Sequence, residues 1–122
     1  MVLYLAADLL WSSRIRSIGD EIGVPMRPVR TLEMLEARLG DSDVKGVVLD
    51  LDAAETALAM IGRLRGEAAT PRDLGVRIVT WGPHVAVDLL SAAKQAGADV
   101  VLTRGAFNSR LPELLRELEG ER

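Results

Sequence analysis

The sequence contains no cysteine, which excludes disulfide bonds, thiolate nucleophiles and cysteine-ligated zinc. Histidine is almost as scarce, since His84 is the only one. No serine in a sharp nucleophile turn accompanies it, so we do not expect a catalytic triad. Metal sites with nitrogen or sulfur ligands are excluded on the same grounds, and only a weak site for a hard cation is left.

An excess of positive charge and a long apolar run are also lacking. The net charge is −3, and the four arginines in the first quarter of the chain are not interleaved with aromatic residues. No apolar run approaches the ~20 residues that a membrane-spanning helix needs. The opening VLYLAADLLW has no basic leader and is interrupted by Asp8, so we expect no signal peptide. These features favour a cytoplasmic protein that binds neither nucleic acid nor a membrane.

The 122 residues, 48% of them hydrophobic, suit one globular domain over residues 1–122. Apolar β-rich runs alternate with helical patterns five times, and the predicted strands are 2–7, 24–29, 45–51, 76–81 and 98–102. Four of these runs are continuously apolar, as expected for a parallel sheet covered on both faces. The second contains Pro25 and Pro28, which cannot donate to a neighbouring strand, so it belongs at a sheet edge.

The intervening segments repeat apolar residues every three or four positions, which predicts one packed helical face each. These stripes are Trp11, Ile15, Ile18 and Ile22; Leu32, Leu35 and Leu39; Ala57, Ile61, Leu64 and Ala68; Val85, Leu89, Ala92 and Ala96; and Leu111, Leu114 or Leu115, and Leu118. Capping residues are expected at Thr31, at Asp52 with Glu55, and at Asn108 or Ser109.

This alternation predicts an α/β fold, a three-layer (βα)5 arrangement with a doubly wound parallel sheet and right-handed crossovers. A dinucleotide-binding order requires a glycine-rich turn after the first strand, and AADLLW has no glycine. The flavodoxin-like order 2-1-3-4-5 places the second strand at the edge, where its prolines require it. We therefore predict that order.

Polar side chains follow four of the predicted strands. Asp8 follows the first strand, Asp50 and Asp52 stand at the end of the third, Thr80 ends the fourth, and Arg104 follows the fifth. Sites in open α/β sheets lie beyond the carboxyl ends of the strands. We expect these five side chains to converge on one small area.

Three segments resemble the receiver (CheY-like) domain of bacterial response regulators: GVVLDLD, RIVTWG and AAKQAGADVVLTRGAF. The resemblance spans nearly the whole chain and implies a role in two-component signal transduction and phosphorelay. By it, Asp50 takes the place of the phosphoacceptor, Asp8 that of a metal-binding acid, Thr80 that of the hydroxyl that contacts the phosphoryl group, and Arg104 that of a lysine. Such a site uses Mg²⁺, a hydroxyl and a cation to stabilise charge in phosphoryl transfer.

The sequence departs from this pattern at the site itself. The departures are Ala7 beside Asp8, Arg104 with Gly105 in place of the lysine and proline, Trp81 in place of a small residue, Ala53 and Ala54 in place of a Met-Pro turn, and Val101 in place of the aromatic switch residue. We expect Arg104 to pair with Asp50 and to lower the pKa of that carboxyl. Asp8 and Asp50 then form at best a weak magnesium site. Asp52 caps a helix, and Trp81 covers the former pocket, anchors a partner or packs as a loop residue.

The leading hypothesis is a pseudo-receiver that has no enzymatic activity or cofactor and works through protein contacts without phosphorylation. The resemblance points to the face of the fourth predicted helix, the fifth strand and the fifth predicted helix as the site of a partner or homodimer. On that face we expect Lys94, Arg104, Asn108 and Arg110. Two alternatives stay open: a receiver phosphorylated on Asp50 with altered kinetics, and a flavodoxin-like ligand-binding or enzymatic domain.

Overall fold

A computed structural model describes residues 1–120, and five parallel strands form its single sheet in the order β2-β1-β3-β4-β5. The strands are β1 (Val2–Leu5), β2 (Met26–Pro28), β3 (Gly46–Asp50), β4 (Arg77–Gly82) and β5 (Val100–Thr103). The predicted fold class and strand order are confirmed. The three-residue β2 lies at the edge, where the missing N–H group of Pro28 costs no bond to a second neighbouring strand.

Helices cover both faces of this sheet. They are α1 (Leu9–Ile22), α2 (Leu32–Asp41), α3 (Ala54–Arg65), the short α4 (Pro71–Leu74), α5 (Val87–Ala96) and α6 (Arg104–Glu119), with one 3₁₀ turn at Leu51–Ala53. The helix α4 was not predicted. It is held by a reciprocal capping box between Thr70 and Asp73, with Pro71 at its first position.

Three helix starts differ from the predictions. Helix α6 begins at Arg104 because the Thr103 hydroxyl accepts from the backbone N–H of Ala106, so Asn108 and Ser109 lie inside the helix. Helix α5 begins only at Val87, and Val85 therefore lies in the preceding turn. The predicted capping role of Asp52 is wrong, because the residue before α3 is Ala53 and makes no side-chain cap.

Two apolar clusters lie on opposite faces of the sheet. One contains Leu49 and Ile78 and is covered by α2, α3 and α5, while the other contains Val48 and Val79 and is covered by α1 and α6. Alternate residues of β3 and β4 thus face opposite clusters. Within residues 1–120, no helix combines the length and apolar character needed to cross a bilayer.

Candidate functional site

Asp50 ends β3 and is 1% exposed. Its Oδ2 accepts from the backbone N–H of Ala7, beyond the end of β1, and its Oδ1 accepts from the backbone N–H of Asp52, both at 2.9 Å. The carboxyl group therefore joins the ends of two neighbouring strands and starts the 3₁₀ turn. It fulfils a structural capping role that the sequence had suggested for Asp52.

Burial raises the pKa of the Asp50 carboxyl above its ordinary 3.8, because the charged form loses hydration. The two backbone hydrogen bonds lower the pKa, and the neighbouring charges of Asp52 and Asp8 raise it. The expected lowering by Arg104 is wrong in direction.

Arg104 forms its ion pair with Asp52, from Nη2 to Oδ2 at 2.6 Å, and the predicted pair with Asp50 is wrong. The side chains of Arg104 and Asp52 are 45% and 40% exposed. Depth explains the choice of partner, since Asp50 is buried at the strand end while Asp52 stands at the surface of the 3₁₀ turn. An ion pair with this much exposure contributes little to stability.

The three acids at this site, Asp8, Asp50 and Asp52, each make other contacts. Asp8 is exposed and caps α1, with its Oδ1 2.8 Å from the backbone nitrogen of Trp11. Asp52 is paired with Arg104, and both oxygens of Asp50 accept from backbone amides. Throughout residues 1–120, no three acidic or histidine side chains are placed to hold a metal ion. The weak two-acid magnesium site expected at Asp8 and Asp50 therefore has no third acid beside it and stays a prediction.

Thr80 lies on the opposite side of the sheet from Asp50. It aligns with Leu49 in the pairing of β3 and β4, whereas Asp50 aligns with Trp81. Paired residues of parallel strands project to the same face, and neighbouring residues project to opposite faces. The Thr80 hydroxyl is buried and donates to the carbonyl of Val100 at 3.3 Å. The predicted contact of Thr80 with a phosphoryl group on Asp50 would compete with this hydrogen bond and stays a prediction.

Trp81 occupies the place beside Asp50 and belongs to the core, not to the surface. Its ring is fully buried and stacks on Phe107 of α6, with centroids 4.1 Å apart and planes 2° from parallel. Trp11 packs across both rings at 5.6 and 5.7 Å. Trp81 is thus neither an exposed cover nor an exposed anchor. Phe107 was missed, although it continues the spacing of Leu111 and the later leucines toward the helix start.

An open groove of about 920 Å³ lies beyond the carboxyl ends of the strands. It is bordered by the start of α1, the turn before α5 and the start of α6. Trp11, which was predicted as core, is half-buried and lines it. Leu10, Arg14 and Val85 line it as well. The groove was not predicted from the sequence, because Val85 was assigned to a buried helical stripe.

The predicted partner face is only partly assembled. Lys94 on α5 and Arg110 on α6 are exposed, as is Asn108. The Asn108 amide oxygen, however, accepts from Nε of Arg14 on α1, which places it on the α1 side of α6. Arg110 is two residues further, about 200° around the helix axis. Asn108 and Arg110 therefore do not share one surface.

Several solved structures with the same architecture are response regulators or their receiver domains. A response-regulator receiver domain from Bermanella marisrubri superposes with a TM-score of 0.78 at 18% identity, covering 96% of this chain and 95% of that one. A response regulator from Thermotoga maritima gives 0.75 at 15% identity over 98% and 97% of the two chains. A receiver protein from Burkholderia phymatum gives 0.73 at 18% identity over 99% and 95%.

No family model matches the sequence, and no curated protein matches it in sequence. The structural matches therefore establish the fold. This chain has the receiver-domain fold of response regulators over nearly its entire length. The resemblance inferred from the sequence is confirmed at that level.

Proposed function

We propose that this chain is a pseudo-receiver: a signal-transduction module that binds a protein partner without accepting phosphate. The observation that carries the proposal is the state of Asp50. Its carboxyl is buried, and each of its oxygens accepts a backbone hydrogen bond. The proposal includes no enzymatic activity and no cofactor, and it assigns the chain to the cytoplasm.

The surroundings of Asp50 lack what phosphoryl transfer needs. The transition state spreads negative charge over the equatorial oxygens, which must be stabilised by cations and hydrogen-bond donors. Thr80 faces the other side of the sheet, Arg104 is paired with Asp52, and no cluster of three candidate metal ligands occurs among residues 1–120. Trp81, which aligns with Asp50 in the pairing of β3 and β4, belongs to the stacked aromatic core. These features favour a site that keeps its aspartate for structure.

A receiver that is phosphorylated on Asp50 is the second candidate. Asp50 ends the central strand of a fold shared with response regulators. The exposed pair of Arg104 and Asp52 is weak enough to open, and Arg104 could then face a phosphoryl group. This candidate requires Asp50 to give up at least one backbone bond.

The deciding experiment exposes the protein to acetyl phosphate and Mg²⁺ and measures its intact mass. We expect no phosphate-sized gain, and no change in tryptophan fluorescence with beryllium fluoride, because Asp50 is buried and its oxygens are engaged. A gain that disappears in Asp50→Asn and persists in Asp43→Asn would establish the second candidate instead. Asp43 is a matched control because it is 80% exposed and precedes β3 at the opposite end of the sheet.

A further inference from the structure

The groove at the carboxyl end of the sheet is bordered by aliphatic side chains that the fold leaves in water. Leu10 is 84% exposed and Val85 is 75% exposed, and both line the groove. Leu9, beside Leu10 in the first turn of α1, is 81% exposed. Contiguous exposed apolar groups on a small protein mark an interaction surface.

One aromatic side chain lines the groove and packs against the core. Trp11 lines it, and behind Trp11 lie the stacked rings of Trp81 and Phe107. A rigid aromatic side chain offers a large contact area at little cost in conformational entropy. Tryptophan and arginine are also the residues most enriched at the energetic centres of interfaces.

Two arginines, Arg14 and Arg104, line the groove, although the chain as a whole carries a net charge of −3. The lining contains no acidic residue. Among the residues that the structure describes, Arg14 has no carboxylate partner and donates to the neutral amide of Asn108. Arg104 pairs with Asp52, and because both side chains are exposed, a carboxylate of another molecule can replace Asp52 as its partner. The two arginines therefore suit carboxylates brought by another molecule.

We propose that this groove binds an amphipathic helix of a protein partner, with aliphatic side chains facing Leu10, Trp11 and Val85 and carboxylates facing Arg14 and Arg104. A helix supplies apolar residues at three- and four-residue spacing along one face and acidic residues beside them. This inference rests on the proposed function as a protein-binding module and identifies the surface that binds the partner. The surface lies on the α1 side, not at the edge with Lys94 and Arg110.

The test uses a synthetic helical peptide with leucines at positions i, i+3, i+4 and i+7 and flanking glutamates, and a matched peptide with glutamines. Binding to the unphosphorylated protein is followed by amide chemical shifts. We expect shifts around Leu10, Val85 and Arg104, and at least about tenfold weaker binding of the glutamine peptide, the equivalent of 1.4 kcal/mol.

Variants locate the binding surface. Leu10→Ser and Arg14→Gln should each weaken binding of the glutamate peptide by about tenfold or more, a range typical of interface centres. Leu74→Ser and Arg77→Gln are the matched controls, because both residues are exposed and neither lines the groove. The controls should bind like the wild type. Since Leu10 and Arg14 are exposed, their variants should also unfold at the same temperature as the wild type.

Several results would overturn the inference. These are no binding either before or after treatment with acetyl phosphate, equal binding of both peptides, unchanged binding by the Leu10 and Arg14 variants, or shifts centred on Lys94 and Arg110. Self-association that Leu10→Ser abolishes would identify a second copy of the chain as the occupant instead.

Two outcomes separate the groove from the proposed function. If the peptide bound only after acetyl phosphate modified Asp50, the binding groove would stand and the proposed function would fail. If the protein resisted acetyl phosphate and did not bind the peptide, the pseudo-receiver function would stand and the binding groove would fail.

Discussion

Asp50 and Arg104 illustrate how depth decides the partner of a charged residue. Both were expected at one small area, and the sequence offered three carboxylates there. Asp50 is buried and satisfied by the backbone amides of Ala7 and Asp52, so the exposed Arg104 pairs with the exposed Asp52. A buried carboxylate without a cation is costly, and here burial raises its pKa.

The raised pKa of Asp50 predicts a pH dependence of stability that Asp50→Asn should remove. The folded protein takes up the proton at higher pH than the unfolded chain, whose carboxyl keeps its ordinary pKa of 3.8. As pH falls through the raised pKa toward 3.8, the wild type should therefore gain unfolding free energy relative to the variant. Above the raised pKa this gain is absent, and below the ordinary value it is constant. Urea unfolding across that range measures it.

Asp50→Asn should also lower the free energy of unfolding at neutral pH. Asparagine has one acceptor oxygen, so one of the backbone N–H groups of Ala7 and Asp52 loses its partner. A buried unpaired donor costs about 1–3 kcal/mol. A stability difference that narrowed on acidification would contradict the raised pKa of Asp50. A variant as stable as the wild type at neutral pH would contradict its structural role.

At the scale of elements, the end of α3 is fixed by one side chain. Arg65 is the last residue of α3, and its guanidinium donates to the carbonyls of Asp73, Val76 and Gly97 and to the carboxylate of Asp99. These acceptors lie within α4, before β4 and before β5. One planar group with five N–H donors can join all of them, which a single ammonium cannot do.

Arg65→Lys should therefore destabilise the fold while conserving its charge. Lysine has three donors around one nitrogen, so at least one part-buried carbonyl is left without its charged partner. We expect a loss of about 1.5–3 kcal/mol in the free energy of unfolding, measured by urea denaturation. Arg16→Lys, exposed on α1, is the control and should change it by less than about 0.5 kcal/mol. Equal stability of the two variants would contradict this role.

At the scale of the whole molecule, the two apolar clusters share one sheet. Val48 and Val79 face the α1 and α6 layer, while Leu49 and Ile78 face the α2, α3 and α5 layer. Val48 and Leu49 are neighbours in the chain, as are Ile78 and Val79. If the strands separated from one helical layer, the residues facing the other layer would therefore lose their packing too. The sheet therefore couples the two layers into one cooperative unit.

This coupling predicts a single unfolding transition. Both tryptophans lie in the α1 and α6 layer, so their fluorescence reports that layer, whereas far-ultraviolet circular dichroism reports all helices and strands. Urea transitions from the two signals should coincide, as expected for a two-state domain of this size. An earlier fluorescence transition would mean that the α1 and α6 layer separates first.

The fold follows largely from local patterns in the sequence. Continuous apolar runs identified the buried strands, helical stripes identified the covering layers, and the prolines assigned β2 to the edge. These signals are local because strand burial and backbone donor loss depend on each residue's own chemistry. The starts of α5 and α6 differ from the prediction, because the turn at Val85 and the cap at Thr103 override the continuous apolar spacing.

The composition of the site was also determined by the sequence, since Asp8, Asp50, Asp52 and Arg104 all stand near the carboxyl ends of strands or in the following turns. Only the tertiary structure decided which of them interact. The register of β3 and β4 turned Thr80 away from Asp50, and burial separated Asp50 from Arg104. The choice of ion-pair partner, the face to which a side chain projects and the groove all depend on how elements distant in the chain pack against one another. No local sequence pattern contains that information.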